Sequence, residues 1–206
     1  NIGAGKTNLA KKLAEHFHWH LYDEPFTINP YLENFYQDMA KWAFHCEISF
    51  LSHRLDNHLD ILNKEESVIQ DRCLYEGAEV FVKNLYQTNR LSEIDWQTYQ
   101  HLYQTGHKLV TPPDLIVYIK SSTDRCMNNL MKRGREMESG MDRQYIDDLN
   151  KLYKDWIDNW TLCPVLTANA DLYDFKYDES AFRNLTETIK KRLKNYELPL
   201  EWGQRA

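Results

Sequence analysis

The chain opens Asn-Ile-Gly-Ala-Gly-Lys-Thr over residues 1–7, and Leu9, Leu13 and Phe17 follow at helical spacing. A glycine-rich turn that runs through Gly-Lys-Thr straight into a helix leaves few folds open. Unpaired N–H groups and the positive end of the helix dipole form a seat for phosphate, and a strand has to feed the turn. The seven residues match the end of the pattern GxxxxGK[ST] without its first glycine. The expectation is that a further apolar strand precedes Asn1 in the natural protein, together with any targeting segment.

Beyond that helix, strand-like and helix-like stretches alternate. Residues 19–24 predict a short strand closed by Pro25. Phe44, Ile48, Leu51, Leu55, Leu59 and Leu62, at steps of three and four, predict a long amphipathic helix over 42–62. Further strands are expected at 67–71, 115–119 and 165–167, and helices at about 74–89, 92–109 and 122–132. Tyr145, Leu149, Leu152, Trp156 and Trp160 mark another helix, as do Phe182, Leu185, Ile189 and Leu193; the aromatic spacing in the former reads as core or subunit interface. Residues 132–140, basic then acidic and containing Gly134 and Gly140, predict a mobile loop. Such alternation implies an α/β fold, a parallel five-stranded sheet flanked by helices once the upstream strand is counted.

Length and charge narrow the class. A chain of 206 residues fits one domain, here the whole of 1–206, burying roughly 70% of its unfolded surface. With 25 basic against 31 acidic residues and no Lys/Arg block, nucleic acid is not an expected partner, and the absence of a long apolar run excludes a membrane span. Cys46, Cys73, Cys126 and Cys163 form no CxxC pair, which fits a reducing cytoplasmic setting.

In an open parallel sheet, ligands bind beyond the carboxyl ends of the strands. The 3–7 turn follows the inferred first strand, Asp23-Glu24 closes the second, and Asp71-Arg72 closes the third. One rim thus carries a phosphate cradle, a cation, a carboxylate pair and a metal-binding acid, which suits transfer of a phosphoryl group to an alcohol. Taken singly, Glu24 reads first as a polar strand end and Asp71-Arg72 as a structural ion pair; their shared location is what favours chemistry. His16, His18 and His20 straddle a helix end and a strand start, and read as packed or solvated rather than as metal ligands.

The order of these motifs resembles the deoxynucleoside kinases, the P-loop family of deoxycytidine, deoxyguanosine, insect multisubstrate and bacterial deoxyadenosine kinases, from Asn1 to about residue 195. The resemblance rests on the opening motif, Glu24-Pro25, Tyr36 upstream of Lys41-Trp42-Ala43, Asp71-Arg72, and Lys132-Arg-Gly-Arg-Glu-Met-Glu138. It implies a P-loop kinase fold with a lid at about 132–140, ATP as donor, Mg2+ as cofactor, and a homodimer built on long helices. Gly3, Ala4, Gly5, Lys6 and Thr7 would then cradle the donor phosphates, with Arg133 and Arg135 closing over them. The same resemblance makes Glu24 the general base, Asp71 and Thr7 the magnesium ligands, and Arg72 a contact to phosphate or base. Tyr36 and Glu138 would hold the deoxyribose 3′-hydroxyl, Phe81 would stack on the base, and Glu47 stands where the family reads the base with glutamine. Two departures matter: Asn129 replaces an arginine, putting one lid phosphate contact in question, and Gly77 replaces aspartate or alanine.

A nucleoside monophosphate kinase such as thymidylate kinase is the neighbouring alternative, but an anionic acceptor needs extra cations and no base such as Glu24. A non-catalytic P-loop subunit would have no reason to keep Lys6, Glu24, Asp71 and Arg72 together. Within the favoured class, deoxyadenosine is expected over thymidine. Glu47 can accept from an exocyclic amino group, and Arg54, seven residues on along the same helix face, can donate to a purine N7 or carbonyl oxygen. Gly77 should leave room beside the base, and the lid residues Arg133, Arg135 and Glu138 should lack partners until nucleotide arrives.

Overall fold

The computed structural model describes residues 1–24 and 26–194. Helix α1 (Lys6–Phe17) starts at Gly5, whose φ of 95° only glycine adopts readily, and buries Leu9 and Leu13. Strand β1 (His20–Tyr22) pairs in parallel with β2 (Val68–Gln70), His20 opposite Val68, and the ladder runs on when the Asp71 N–H donates to the Tyr22 carbonyl at 2.8 Å. Strand β3 (Ile116–Lys120) pairs in parallel with β4 (Val165–Asn169), Ile116 opposite Val165.

Among the described residues, a 3-10 turn (Phe26–Ile28) and two α-helices lie between β1 and β2. The first, α2 (Leu32–Gln37), carries no sequence periodicity long enough to announce it, and turns directly into α3 (Met39–Ile61). Asp38 fixes that junction by accepting from the Lys41 N–H at 3.1 Å, starting α3 three residues earlier than its apolar pattern suggests. After β2, the expected single helix is instead α4 (Leu74–Glu76), a wide π-helical segment Gly77–Val82, and α5 (Lys83–Gln87). Helix α6 (Glu93–His107) packs on α3. Helix α7 (Thr123–Arg133) is capped by Ser122 and stops at Gly134, α8 (Arg143–Asp158) is capped by Asp142, and α9 (Glu179–Lys194) closes the fold.

The core has two parts. One joins α1, β3, β4, α7, α8 and α9 through Leu9, Leu13, Ile119, Leu130, Ile146, Leu149 and Phe182; the other joins α2, α3, α4, α5 and α6 through Phe35, Cys46, Leu51, Leu74, Leu85 and Tyr99. The expected five-stranded sheet differs from what is observed: among the described residues four strands form two parallel pairs. The β2 and β3 edges line a common cleft of about 770 Å³, with Leu9 and Leu13 of α1 along it, so each pair keeps one unpaired edge towards that cleft.

Candidate active site

Residues 3–7, marked in the sequence as a phosphate cradle, lie between the start of α1 and the side of α7. Gly3 and Gly5 both take positive φ, 75° and 95°. A Cβ on Gly3 would lie 2.5 Å from the Cys126 carbonyl oxygen, so α7 can approach the loop only over glycine. Asn129 donates to the Gly3 carbonyl at 2.8 Å. The residue that departs from the family pattern therefore braces the loop. Lys6 is drawn in, its Nζ donating to the Asn1 carbonyl at 2.6 Å, and burial followed by the nearby Arg72 lowers its pKa. The Thr7 hydroxyl donates to Asp71 Oδ2 at 2.5 Å, while Asp71 Oδ1 is buried without a partner. A hydroxyl and a carboxylate with a spare oxygen fit a hard divalent cation that keeps water and phosphate as its other ligands.

Beside the loop lies a buried charge centre. Glu24, just past β1, accepts from Arg54 Nε at 2.6 Å and from Arg54 Nη2 at 3.1 Å, with Arg72 Nε 3.3 Å from its second oxygen. Arg72 also donates to Glu76 at 3.1 Å, and Glu76 in turn accepts from the Tyr153 hydroxyl. Burial pushes the Glu76 carboxyl up, but Arg72, then Lys6, outweigh it and hold the pKa at about 2. Arg72 holds this place with φ 73°, a left-handed backbone costly for a side-chain-bearing residue. Its guanidinium lies 4.8 Å above the centre of the ring of Phe81, the residue expected to stack on a base.

Two expectations for the base pocket are corrected here. Arg54 is not held for a nucleobase alone: its Nε and Nη2 are spent on Glu24, and only Nη1, buried against Gly77 without a partner, is left to donate. Gly77 does not open space either, because Arg54 Nη1 lies 2.3 Å from the place its Cβ would take. Glu47, two turns before Arg54 on the same face of α3, is buried with Oε2 unpartnered; burial pushes its pKa up to about 7 against the pull of Arg54.

The lid also differs from expectation. Arg133 donates to Glu138 at 3.0 and 2.5 Å and Arg135 reaches the same carboxylate at 3.4 Å, so these side chains are partners before any ligand arrives. Residues Glu136–Glu138 form a 3-10 turn that brings Glu138 back onto Arg133. Tyr36, on α2, is half-buried beside Glu138, and burial and then that carboxylate raise its phenol pKa.

All of these side chains, from residues 3–7 through Glu24, Tyr36, Glu47, Arg54, Asp71, Arg72 and Phe81 to Arg133, Arg135 and Glu138, line one cleft of about 830 Å³. Phe50, Tyr173 and Tyr177 line it too and went unflagged in the sequence. Glu76 was also missed, although its place four residues after Arg72 in a helical stretch was a usable signal.

The deoxynucleoside kinase family profile matches residues 1–194. The chain belongs to the deoxynucleoside kinase family. The deoxyadenosine/deoxycytidine kinase of Bacillus subtilis (strain 168) is 33% identical over 192 residues, covering 91% of this chain and 88% of its own. A Dictyostelium discoideum deoxyadenosine kinase is 31% identical, with coverages of 82% and 69%. The structure of a deoxyadenosine kinase from M. mycoides with products dCMP and a flexible dCDP bound superposes with a TM-score of 0.82, at 27% identity over 93% of this chain and 96% of that one. This kinase is accordingly a phosphotransferase enzyme with an α/β kinase fold. Among its described residues no helix is long and apolar enough to cross a membrane.

Proposed function

We propose that this kinase transfers the γ-phosphoryl group of ATP to the 5′-hydroxyl of a deoxynucleoside, giving the 5′-monophosphate in nucleotide salvage. The observation that carries it is Glu24: a buried carboxylate, fixed by two arginines, in the same cleft as the phosphate loop. The hydroxyl oxygen bonds to the γ-phosphorus as the bond to the ADP oxygen breaks, and the hydroxyl proton passes to a lone pair of Glu24 not used by Arg54 or Arg72. Backbone N–H groups of residues 3–7 and Lys6 hold the donor phosphates. Thr7 and Asp71 would hold Mg2+, which supplies charge neutralisation at the phosphate oxygens. Arg133 and Arg135 would exchange Glu138 for the transferred group, leaving Glu138 with Tyr36 to take the 3′-hydroxyl, while Phe81 flanks the base.

Deoxyadenosine is the favoured substrate. Relatives carry deoxyadenosine kinase names, and Glu47 offers a buried, unpartnered carboxyl oxygen to the amino edge of a purine or cytosine, which thymine lacks. With Arg54 and Arg72 already matched to carboxylates, a monophosphate acceptor is not favoured. A homodimer is supported by exposed Leu59, Leu62, Ile94 and Leu102 on and beside α3 and α6, and a cytoplasmic setting by the four free cysteines. The cleft between β2 and β3 has the place and apolar lining for the central strand of a five-stranded sheet in one 1–206 domain.

The test is Glu24→Gln, which keeps shape and hydrogen bonding but cannot take up the proton. Steady-state rates with ATP and each of four deoxynucleosides, and with each matching monophosphate, should show kcat down by about 10² or more and ATP affinity unchanged. A Glu24→Gln rate within threefold of wild type, or turnover of monophosphates alone, would remove this mechanism.

A further inference from the structure

Gly77 has no backbone reason to be glycine. Its φ and ψ are −57° and −53°, ordinary helical values, and in a helical stretch glycine is disfavoured against alanine. It is also buried. What it supplies is space: its absent Cβ would sit 2.3 Å from Arg54 Nη1 and 3.3 Å from the Tyr99 hydroxyl, but 3.5 Å from Arg54 Cζ. The first contact is impossible, the second tight, the third ordinary.

Arg54 needs that space to reach its partner. Both of its hydrogen bonds run to Glu24, and together they are two of the three guanidinium contacts that orient this carboxylate. Arg54 comes from the middle of α3, Glu24 from the end of β1, and Gly77 from the first residue of the π-helical segment. Three elements far apart in sequence therefore meet at one guanidinium, which lies in a slot that only glycine leaves open. Because Nη1 is the far end of a flexible side chain, a methyl group at 77 would displace Arg54 rather than the backbone, and the displaced guanidinium could not keep its two-pronged grip.

We propose that Gly77 is a positioning residue: it seats Arg54 against Glu24 and so fixes the orientation of the carboxylate in the cleft. The consequence for transfer rests on the reading of Glu24 as proton acceptor, whereas the seating itself does not. Replacing Arg54 with lysine supplies the discriminating background. The ammonium nitrogen would fall near the position of Arg54 Cζ, where a Cβ on residue 77 makes only ordinary contact, so the replacement keeps a cation beside Glu24 and removes the clash.

The experiment is a cycle of four proteins: wild type, Gly77→Ala, Arg54→Lys and the double variant. With ATP and deoxyadenosine, Gly77→Ala should lower kcat about tenfold and leave the ATP KM within about twofold, the split expected when a reacting group is misplaced. In the Arg54→Lys background the same substitution should change kcat by less than about twofold, because coupled residues are not additive. Thermal unfolding gives an answer independent of activity: Gly77→Ala should lower Tm by about 3–6 °C with Arg54 present and not lower it in the Arg54→Lys background. Equal losses in both backgrounds, in rate and in Tm, would overturn the proposal. If wild type phosphorylates no deoxynucleoside, the proposed function fails, and the Tm cycle alone decides the seating of Arg54.

Discussion

Glu24 and Glu138 are both buried carboxylates gripped by two arginines, yet the two sites are built for opposite purposes. At Glu24 the arginine side chains are themselves 4% and 17% exposed, and they arrive from α3 and from the end of β2. At Glu138 they are 33% and 31% exposed and lie within five residues of their partner, around Gly134 with its φ of 62°. Opening the first would strand charges away from water, so its geometry is fixed. Opening the second returns two arginines to solvent and leaves only Glu138, 5% exposed, to find a new donor, so it is a contact that a phosphate can replace once Glu138 is satisfied. A carboxylate that must meet a hydroxyl belongs in the fixed kind of site, and cations that close over a donor belong in the releasable kind.

The sharpest way to break this contrast is Arg72→Ala. Removing one partner of a buried ion-pair network typically costs about 3–5 kcal/mol, because the charges left behind have no water. Here Glu76, held at a pKa of about 2 chiefly by Arg72, would lose its main cation, as would one oxygen of Glu24. Urea unfolding measures the loss. A cost below about 1 kcal/mol, the range of exposed pairs, would put the two sites in the same class.

Glu47 sharpens the comparison from the other side, being buried near the same arginines without a direct bond to either. Its carboxyl is raised from 4.5 to about 7, so the folded state binds its proton more tightly than the unfolded chain. That contribution to stability is fully present below pH 4.5 and is lost as pH rises through 7. Glu47→Gln, which cannot ionise, should therefore gain on wild type between about pH 5 and 8 by about 3 kcal/mol at most. Denaturant midpoints of both proteins across that range check it. A constant difference at all pH values would mean that Glu47 ionises as freely in the fold as outside it.

How much of this was legible in sequence follows from how local each feature is. The long helices were, because Ile48, Leu51 and Leu55 repeat on one face, and so were the strand ends that carry Glu24 and Asp71. Helix α2 was not, since six residues give no period, and neither was the π-helical turn at Gly77, which depends on packing against α3, α6 and α8. Every residue marked for the site lines the one cleft, because each lies at a strand end, a loop or a cleft-facing helix position fixed by the topology. Their pairings were not legible. Arg54 and Glu24 are 30 residues apart and meet only through the tertiary fold. The pairing of Arg133 with Glu138 was within reach, since the two flank a glycine and carry opposite charge, but an arginine beside a phosphate loop suits phosphate equally well.

The smallest expected effect on stability is the most telling one for the lid. Arg133→Ala removes a one-third exposed cation, and Arg135 still faces the buried Glu138, so it should cost only about 1 kcal/mol in unfolding. Its effect should appear elsewhere: with the transferred phosphoryl group short of one cation, the ATP-dependent rate should fall by about tenfold or more while the melting curve barely moves. Amide exchange supplies the mechanism. Residues 134–140 should exchange faster in Arg133→Ala than in wild type without nucleotide, because Glu138 loses its closest partner, and a bisubstrate analogue should protect wild type more than the variant. Exchange that is equal in the two proteins and indifferent to the analogue would make the Arg133–Glu138 pair a fixed strut like the one at Glu24, and the contrast between the two sites would fall.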